Sequence, residues 1–526
     1  MAYQFKREKG VAVAETTHGT VQGYIKEGLY MFKGIPYAKA RRFHRPERYD
    51  WEGVFDASSY GYVCPLMSED RPNGELLVPH RYWPQNEDCL NLNIWTPGLG
   101  DGEKRPVLVW FHGGGYFAGS SIEQVAYEGE NMSQLGDAVV VSVNHRLNII
   151  GYLDLSDYGE EYVNSGNAGT DDLIAALQWV HDNAEVFGGD PDNVTIFGQS
   201  GGGGKVTCVL QSPEADGLYH RGIIMSGVCS GKETAPVNLP DAAGSGKPCA
   251  EAMMEVLGIH TIQELEGVPY RDLANAYLKV SPILKGQGGN VGCAPFKNAY
   301  YAGDPLFNGF RKETAGIPLL IGTTYGEFSS FNAAPYDKRT ASREEQIGIV
   351  KAALGEKEAE KIIPLYEAAY PERAIADVTR IDFMFRVNDI DYIAERSKLN
   401  RCTYSYLFNH DMPIDGGATP WHCSDIPYVF HNTELVPSTQ EPGGVTERLE
   451  ESIFASVMAF ARTGNPSNDR VPEWPACTEE TENVMVVDDT WSLRPDFDHE
   501  LLKTVRPCMM AAFQRRAEEM LEKAQH

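Results

Sequence analysis

An α/β fold with a large, mostly parallel central sheet is the architecture that this 526-residue sequence predicts, on three observations. Residues 106–111 (PVLVWF) and 139–143 (VVVSV) are unbroken apolar runs, as expected of strands covered on both faces of a parallel sheet. Between residues 170 and 187 the period turns helical, with Leu173, Ala176, Leu177, Val180 and Ala184 on one face. A further strand follows at once in residues 193–205 (NVTIFGQSGGGGK), where Val194, Ile196 and Phe197 precede a break at Gly198. Strand, helix and strand in that order form a β-α-β unit.

The other elements follow in chain order. The first thirty residues carry short alternating runs, such as 20–25 (TVQGYI), with Gly breaks between them, as a hairpin at a sheet edge would, and residues 32–40 (FKGIPYAKA) contain a Gly-Ile-Pro turn. A loop rich in Pro, Asn and charge separates Cys64 from Cys89, and the segment 87–95 ends as a strand. Beyond the break at Gly198, strands are expected at 222–225, 317–322 and 404–408, and helices at 446–461 and 507–523. Strong sheet signals lapse in two helical stretches, about 231–301 and 342–398. Without internal repeats or a flexible linker, the expectation is one domain over 1–526 carrying these two helical insertions.

Charge and composition exclude several classes. Lys and Arg number 46 against 74 Asp and Glu, for a net charge of −28. So acidic a surface repels phosphate backbones and anionic lipid, so neither a nucleic-acid nor a membrane partner is expected. The first residues, MAYQFKREKG, have no apolar core of a signal peptide, and a cytoplasmic protein is expected. Ten cysteines contain no C-x-x-C pair and no Cys/His cluster, which argues against a metal site and for free thiols. Nothing in the sequence specifies an oligomeric state.

Residues 198–202 read Gly-Gln-Ser-Gly-Gly, a G-x-S-x-G pattern. A nucleophilic serine has to stand clear of the sheet on a turn so tight that only glycine fits beside it, which makes Ser200 the candidate. The pattern also arises by chance in plain glycine-rich loops, so the rest of the chain must decide. A phosphate-binding P-loop would need Gly at 199 and Ser or Thr at 206, where the chain has Gln199 and Val206. Lys205 is then expected to be a solvated or ion-paired residue early in a helix. His112-Gly113-Gly114-Gly115 directly follows a core strand, where bare backbone can direct N–H groups at a substrate oxygen. The predicted oxyanion donors are the N–H groups of Gly114, Gly115 and Gly201, with His112 in a structural role. Acid and base follow the serine in the α/β-hydrolase order. Glu327, after strand 317–322, and His422, after strand 404–408, are favoured because both lie beyond carboxyl ends of strands. Asp304 and Asp411 remain alternatives as the acid, and His410 and His431 as the base.

At this point the chain resembles the type B carboxylesterases, a family that includes the cholinesterases and bacterial esterases of aryl and benzyl esters. The resemblance spans nearly the whole sequence through FKGIPYA, EDCLNLNIW, VLVWFHGGGYFAGS, VNHRLNIIGYL, FGGDPDNVTIFGQSGGG, IGTTYGEF, HCSDIPYVF and FARTGNP. It implies an α/β-hydrolase fold and a serine esterase without cofactor that acts on small-molecule esters. It also implies Ser200 as nucleophile, Glu327 as acid, His422 as base and Gly114, Gly115 and Gly201 as oxyanion donors. Cys64 and Cys89 match the family's first disulfide. Gln199 and Gly201 depart from the family's usual Glu and Ala, and losing the carboxylate makes a choline ester a poor substrate candidate. Tyr116, Phe117, Gln199, Phe328, Phe331 and Trp421 adjoin the motifs and are candidates for the pocket lining. A hydrolase of carbamates, amides or other acyl compounds would use the same residues. A non-catalytic adhesion protein on this scaffold would usually have lost the triad, which this chain keeps.

Overall fold

Seven strands pair in parallel at the centre of the molecule, and their spatial order differs from their chain order. In space they run Val139–Val143, Arg105–Phe111, Gly189–Gln199, Arg221–Met225, Leu319–Thr324, Thr403–Phe408 and Asn483–Val487. Antiparallel strands extend both margins into a 12-stranded sheet. The computed structural model describes residues 5–7, 9–67, 77–231, 244–331 and 333–524. Part of the loop after Cys64 and part of the first helical stretch, 232–243, lie outside them.

The apolar runs explain this sheet. Along Arg105–Phe111, Val107, Val109 and Phe111 enter one hydrophobic cluster while Leu108 and Trp110 enter another on the opposite face. Such a strand is stable only when both faces are covered. Helix Ala168–Asn183 covers one face through Leu173, Ala176, Leu177 and Val180, and helix Val445–Thr463 covers the other through Leu449, Ile453 and Val457. A short 3₁₀ turn, Ala184–Phe187, then ends in the left-handed Gly188, which turns the chain into the next strand. Helices Lys247–Leu257, Ile262–Gly267 and Tyr270–Gly286 occupy the first stretch without sheet signal. Helices Arg343–Leu354, Glu356–Ala369 and Phe385–Leu399 occupy the second. No helix among the described residues is long and apolar enough to cross a membrane.

The hairpin expected in the first thirty residues is Val13–Thr16 with Gly19–Gln22, and with Val54–Asp56 it forms a separate three-stranded sheet. The chain passes to the main sheet at Gly23, where a β-carbon would lie 2.1 Å from the Met31 carbonyl oxygen. The Gly-Ile-Pro segment is no turn. It belongs to strand Leu29–Pro36, whose register against Asn91–Thr96 shifts between Phe32 and Ile35. Gly34, at φ +66°, provides the positive φ that a bulge there requires.

The topology locates the site. The chain leaves Arg105–Phe111 toward Val139–Val143 on one side and leaves Gly189–Gln199 toward Arg221–Met225 on the other. Adjacent strands whose exits diverge leave a crevice at their carboxyl ends.

Candidate active site

Ser200 stands at that crevice with φ 58° and ψ −128°, between strand Gly189–Gln199 and helix Gly201–Leu210. Holding a residue with a side chain in that region costs of order 1–3 kcal/mol. The surroundings enforce it: Ser200 N–H donates to the Met225 carbonyl at 2.8 Å, and its own carbonyl accepts from Gly204 N–H at 3.1 Å. The flanking glycines are obligatory. A β-carbon on Gly198 would lie 2.4 Å from the Gly202 carbonyl carbon, and one on Gly202 would lie 2.0 Å from Phe111 O. The helix that starts here directs its positive end at the crevice.

The glycine loop folds against this turn. Gly114 and Gly115 both have positive φ, +84° and +63°. A β-carbon on Gly201 would come 2.5 Å from the Gly115 nitrogen and 2.3 Å from its oxygen, so the family's usual Ala has no room in this conformation. Among the described residues the N–H groups of Gly114, Gly115 and Gly201 have no acceptor. His112 is buried, and its Nδ1 lies 2.9 Å from the Gly113 carbonyl oxygen. Burial first and the nearby Lys205 second push its pKa well down, so the ring is neutral and braces the loop.

Glu327 and His422 meet although 95 residues separate them. His422 Nδ1 is hydrogen-bonded to Glu327 Oε2, and both side chains are almost wholly buried. Glu327 is itself at a positive φ of 40°, and its Oε1 accepts from Ser226 Oγ at 2.6 Å and from Thr324 N–H at 2.8 Å. The second ring nitrogen of His422 lies 3.2 Å from Gln199 Nε2, while Gln199 Oε1 accepts from the Cys423 thiol at 3.3 Å. Ser200 Oγ makes no hydrogen bond among the described residues, so the imidazole is delivered to the residue beside the serine. Such contacts commonly tighten when substrate binds. The rivals are engaged elsewhere. Asp304 caps a short helix through Leu306 N–H, Asp411 pairs with Lys338 and Arg373, His410 pairs with Asp489, and His431 pairs with Glu450.

Buried acids surround the pair. Asp382 and Asp425 are each pushed up to about 7, first by burial and then by the charge of Glu327. Neither stood out in the sequence, because nothing local marks a carboxyl that becomes a neighbour of Glu327 only on folding. Of the aromatic candidates, Phe328 is 46% exposed and its ring centroid lies 4.3 Å from that of His422. Phe385, unnoticed in the sequence, stacks on His422 at 5.3 Å. Phe117 is exposed and covers Gly115, Phe331 and Trp421 line a cavity of about 250 Å³, and Gln199 is fully buried against the imidazole. Tyr116 turns its hydroxyl toward the Cys208 thiol, at 3.3 Å. Cys64 and Cys89 are buried free thiols, and the hydrogen bond between them is the main cause that raises the Cys89 pKa, followed by burial. Lys205 corrects its expectation: it is completely buried, because the helix after Ser200 is enclosed nearly all round.

Comparison with known proteins identifies the family. The carboxylesterase family profile matches residues 10–501. The para-nitrobenzyl esterase of Bacillus subtilis strain 168 is 33% identical over 94% of this chain and 98% of its own. The phenmedipham hydrolase of Pseudarthrobacter oxydans is 31% identical over 91% of this chain and 95% of its own. Among solved structures, an esterase from the anaerobe Clostridium hathewayi that can hydrolyse aliphatic aromatic polyesters is 47% identical. It superposes with a TM-score of 0.92 over 96% of this chain and 100% of its own. The chain therefore belongs to the carboxylesterase family and is a carboxylic ester hydrolase with the α/β-hydrolase fold.

Proposed function

We propose that Ser200, Glu327 and His422 form the catalytic triad and that Gly114, Gly115 and Gly201 form the oxyanion hole. The reading rests on one observation: the Glu327–His422 pair lies against the strained turn that carries Ser200, beside three N–H groups without acceptors. Ser200 Oγ attacks the ester carbonyl while His422 Nε2 takes its proton. The carbonyl oxygen, now anionic, accepts from the three glycine N–H groups. When the tetrahedral intermediate collapses, His422 returns the proton to the leaving alkoxide, and the alcohol departs. Water then attacks the acyl-enzyme with the same base, and the acid is released with Ser200 restored. Glu327 keeps the proton on Nδ1, so Nε2 is the basic nitrogen, and it stabilises the imidazolium that forms.

Esters with an aromatic group are the proposed substrates. Phe328 and Phe385 flank the imidazole, and the relatives include an esterase for para-nitrobenzyl esters and one that can hydrolyse aliphatic aromatic polyesters. The Ser200→Ala variant is expected to lose turnover of p-nitrophenyl butyrate and labelling by a fluorophosphonate. Full labelling of that variant would identify another nucleophile. A panel of benzoate, benzyl and alkyl esters with a matched aryl carbamate should give its highest kcat/KM on an aromatic ester. Preference for the carbamate would reassign the substrate class.

A further inference from the structure

Lys205 lies five residues beyond the nucleophile, and its side chain reaches no water. Burial pulls the pKa of its ammonium down to about 7. Among the described residues its one hydrogen bond runs from Nζ to the His112 carbonyl oxygen, 2.9 Å away. The charge nearest in effect is the Glu123 carboxylate. His112 and His145, whose rings are 5.1 Å apart, are both pushed well down, burial first and Lys205 second, so neither ring carries a competing positive charge. For stability alone the arrangement is poor. A buried ammonium with one hydrogen bond is generally worse than an apolar side chain that fills the same space.

The bond it makes is at a particular place. The His112 carbonyl is where strand Arg105–Phe111 gives way to the glycine loop. A β-carbon on Gly202 would lie 2.0 Å from Phe111 O and 2.9 Å from His112 O, so the start of the helix and the start of the loop are already in contact. Side chains on a helix lean toward its N-terminus, and Lys205 reaches from the helix to the loop at the His112 carbonyl. The three donors come from these two segments, Gly114 and Gly115 from the loop and Gly201 from the helix.

We propose that Lys205 is a positioning residue for the oxyanion hole: it fastens the glycine loop to the nucleophile helix through the His112 carbonyl, and its charge behind the donors favours the anionic intermediate over the neutral ester. The inference rests on the assignment of Ser200 and the glycine donors above. It explains a costly burial by an interaction that grows only when negative charge develops on the substrate.

The test compares Lys205→Met, Lys205→Gln and Lys205→Arg in the full chain. Lys205→Met is expected to melt higher than the parent, to lose roughly 10- to 100-fold in kcat and to keep KM within about threefold, the loss bounded by that for one oxyanion donor. Binding of phenylboronic acid, whose serine adduct is a tetrahedral anion, should weaken by the same factor as kcat. Fluorophosphonate should still titrate Ser200 one to one, which separates this result from failure of the Ser200 assignment, where the Ser200→Ala protein would be labelled instead. Lys205→Arg should regain part of kcat. A Lys205→Met protein that holds kcat within twofold per titrated serine overturns the proposal, as does one that melts lower with unchanged boronate affinity. If Lys205→Met does not fold, Lys205→Gln decides: a loss of tenfold or more in kcat supports the role, and a smaller loss or failure to fold makes Lys205 structural and overturns it.

Discussion

Two clusters of buried carboxylates meet around the start of helix Phe385–Leu399, and they are built on opposite principles. In the first, Arg386 binds Glu482 through both terminal guanidinium nitrogens, at 2.6 and 2.8 Å, and also binds Asp498. Ser405, His499 and Tyr370 occupy the remaining acceptor sites, so every carboxylate oxygen is bonded. Burial works against the charge on Glu482, yet Arg386 and His499 hold its pKa at about 2. In the second cluster, among the described residues, Glu327 pairs with His422 alone, while its charge acts on Asp382, Asp389 and Asp425. Among the described residues both oxygens of Asp389 and one of Asp425 have no hydrogen-bond partner, and Glu327 sits at a positive φ. The satisfied cluster holds the structure together. The unsatisfied one holds acids whose protons burial favours around the one carboxylate paired with a histidine, at a cost in stability, beside the pair proposed to carry the proton transfers.

Substitutions on each side can break this contrast. The largest effect is expected from Glu327→Gln, which keeps the shape and the bonds from Ser226 and Thr324 but leaves His422 in the wrong tautomer. Steady-state kinetics should then show kcat down by about 10⁴ with little change in melting temperature. A fall below tenfold would remove Glu327 from the triad. Next, Arg386→Met leaves two buried carboxylates without their cation, and urea unfolding should show a loss of about 3–5 kcal/mol. If stability survives, the first cluster is not the structural one. The smallest of the three effects concerns pH. The pKa of Asp425 is raised by folding, so its contribution to stability is full below the unfolded value near 4 and is lost as pH rises through about 7. Asp425→Asn should therefore gain about 2 kcal/mol on the parent between pH 5 and pH 8. A constant difference across that range would mean that Asp425 does not titrate there.

The same contrast explains what the sequence discloses. Ser200 and residues 112–115 were legible because a tight turn and a bare loop restrict residue type locally, and the core strands because two-sided burial leaves an unbroken apolar run. Spacing favoured Glu327 and His422 but left Asp304, Asp411, His410 and His431 as alternatives, since many loops place polar residues beyond strand ends. The acids around Glu327 were invisible, because a charge interaction between residues 327, 382, 389 and 425 exists only once the chain has folded. Lys205 was misread for the related reason that a helix start looks exposed until the sheet that encloses it is assembled. The Gly-Ile-Pro segment was misread as a turn, because the bulge that Gly34 makes is defined only by the register against Asn91–Thr96, a distant strand.

The absence of any side chain between Gly201 and Gly115 has a mechanical consequence. The two segments that carry the proposed oxyanion donors touch main chain to main chain, so moving one inward would require the other to give way.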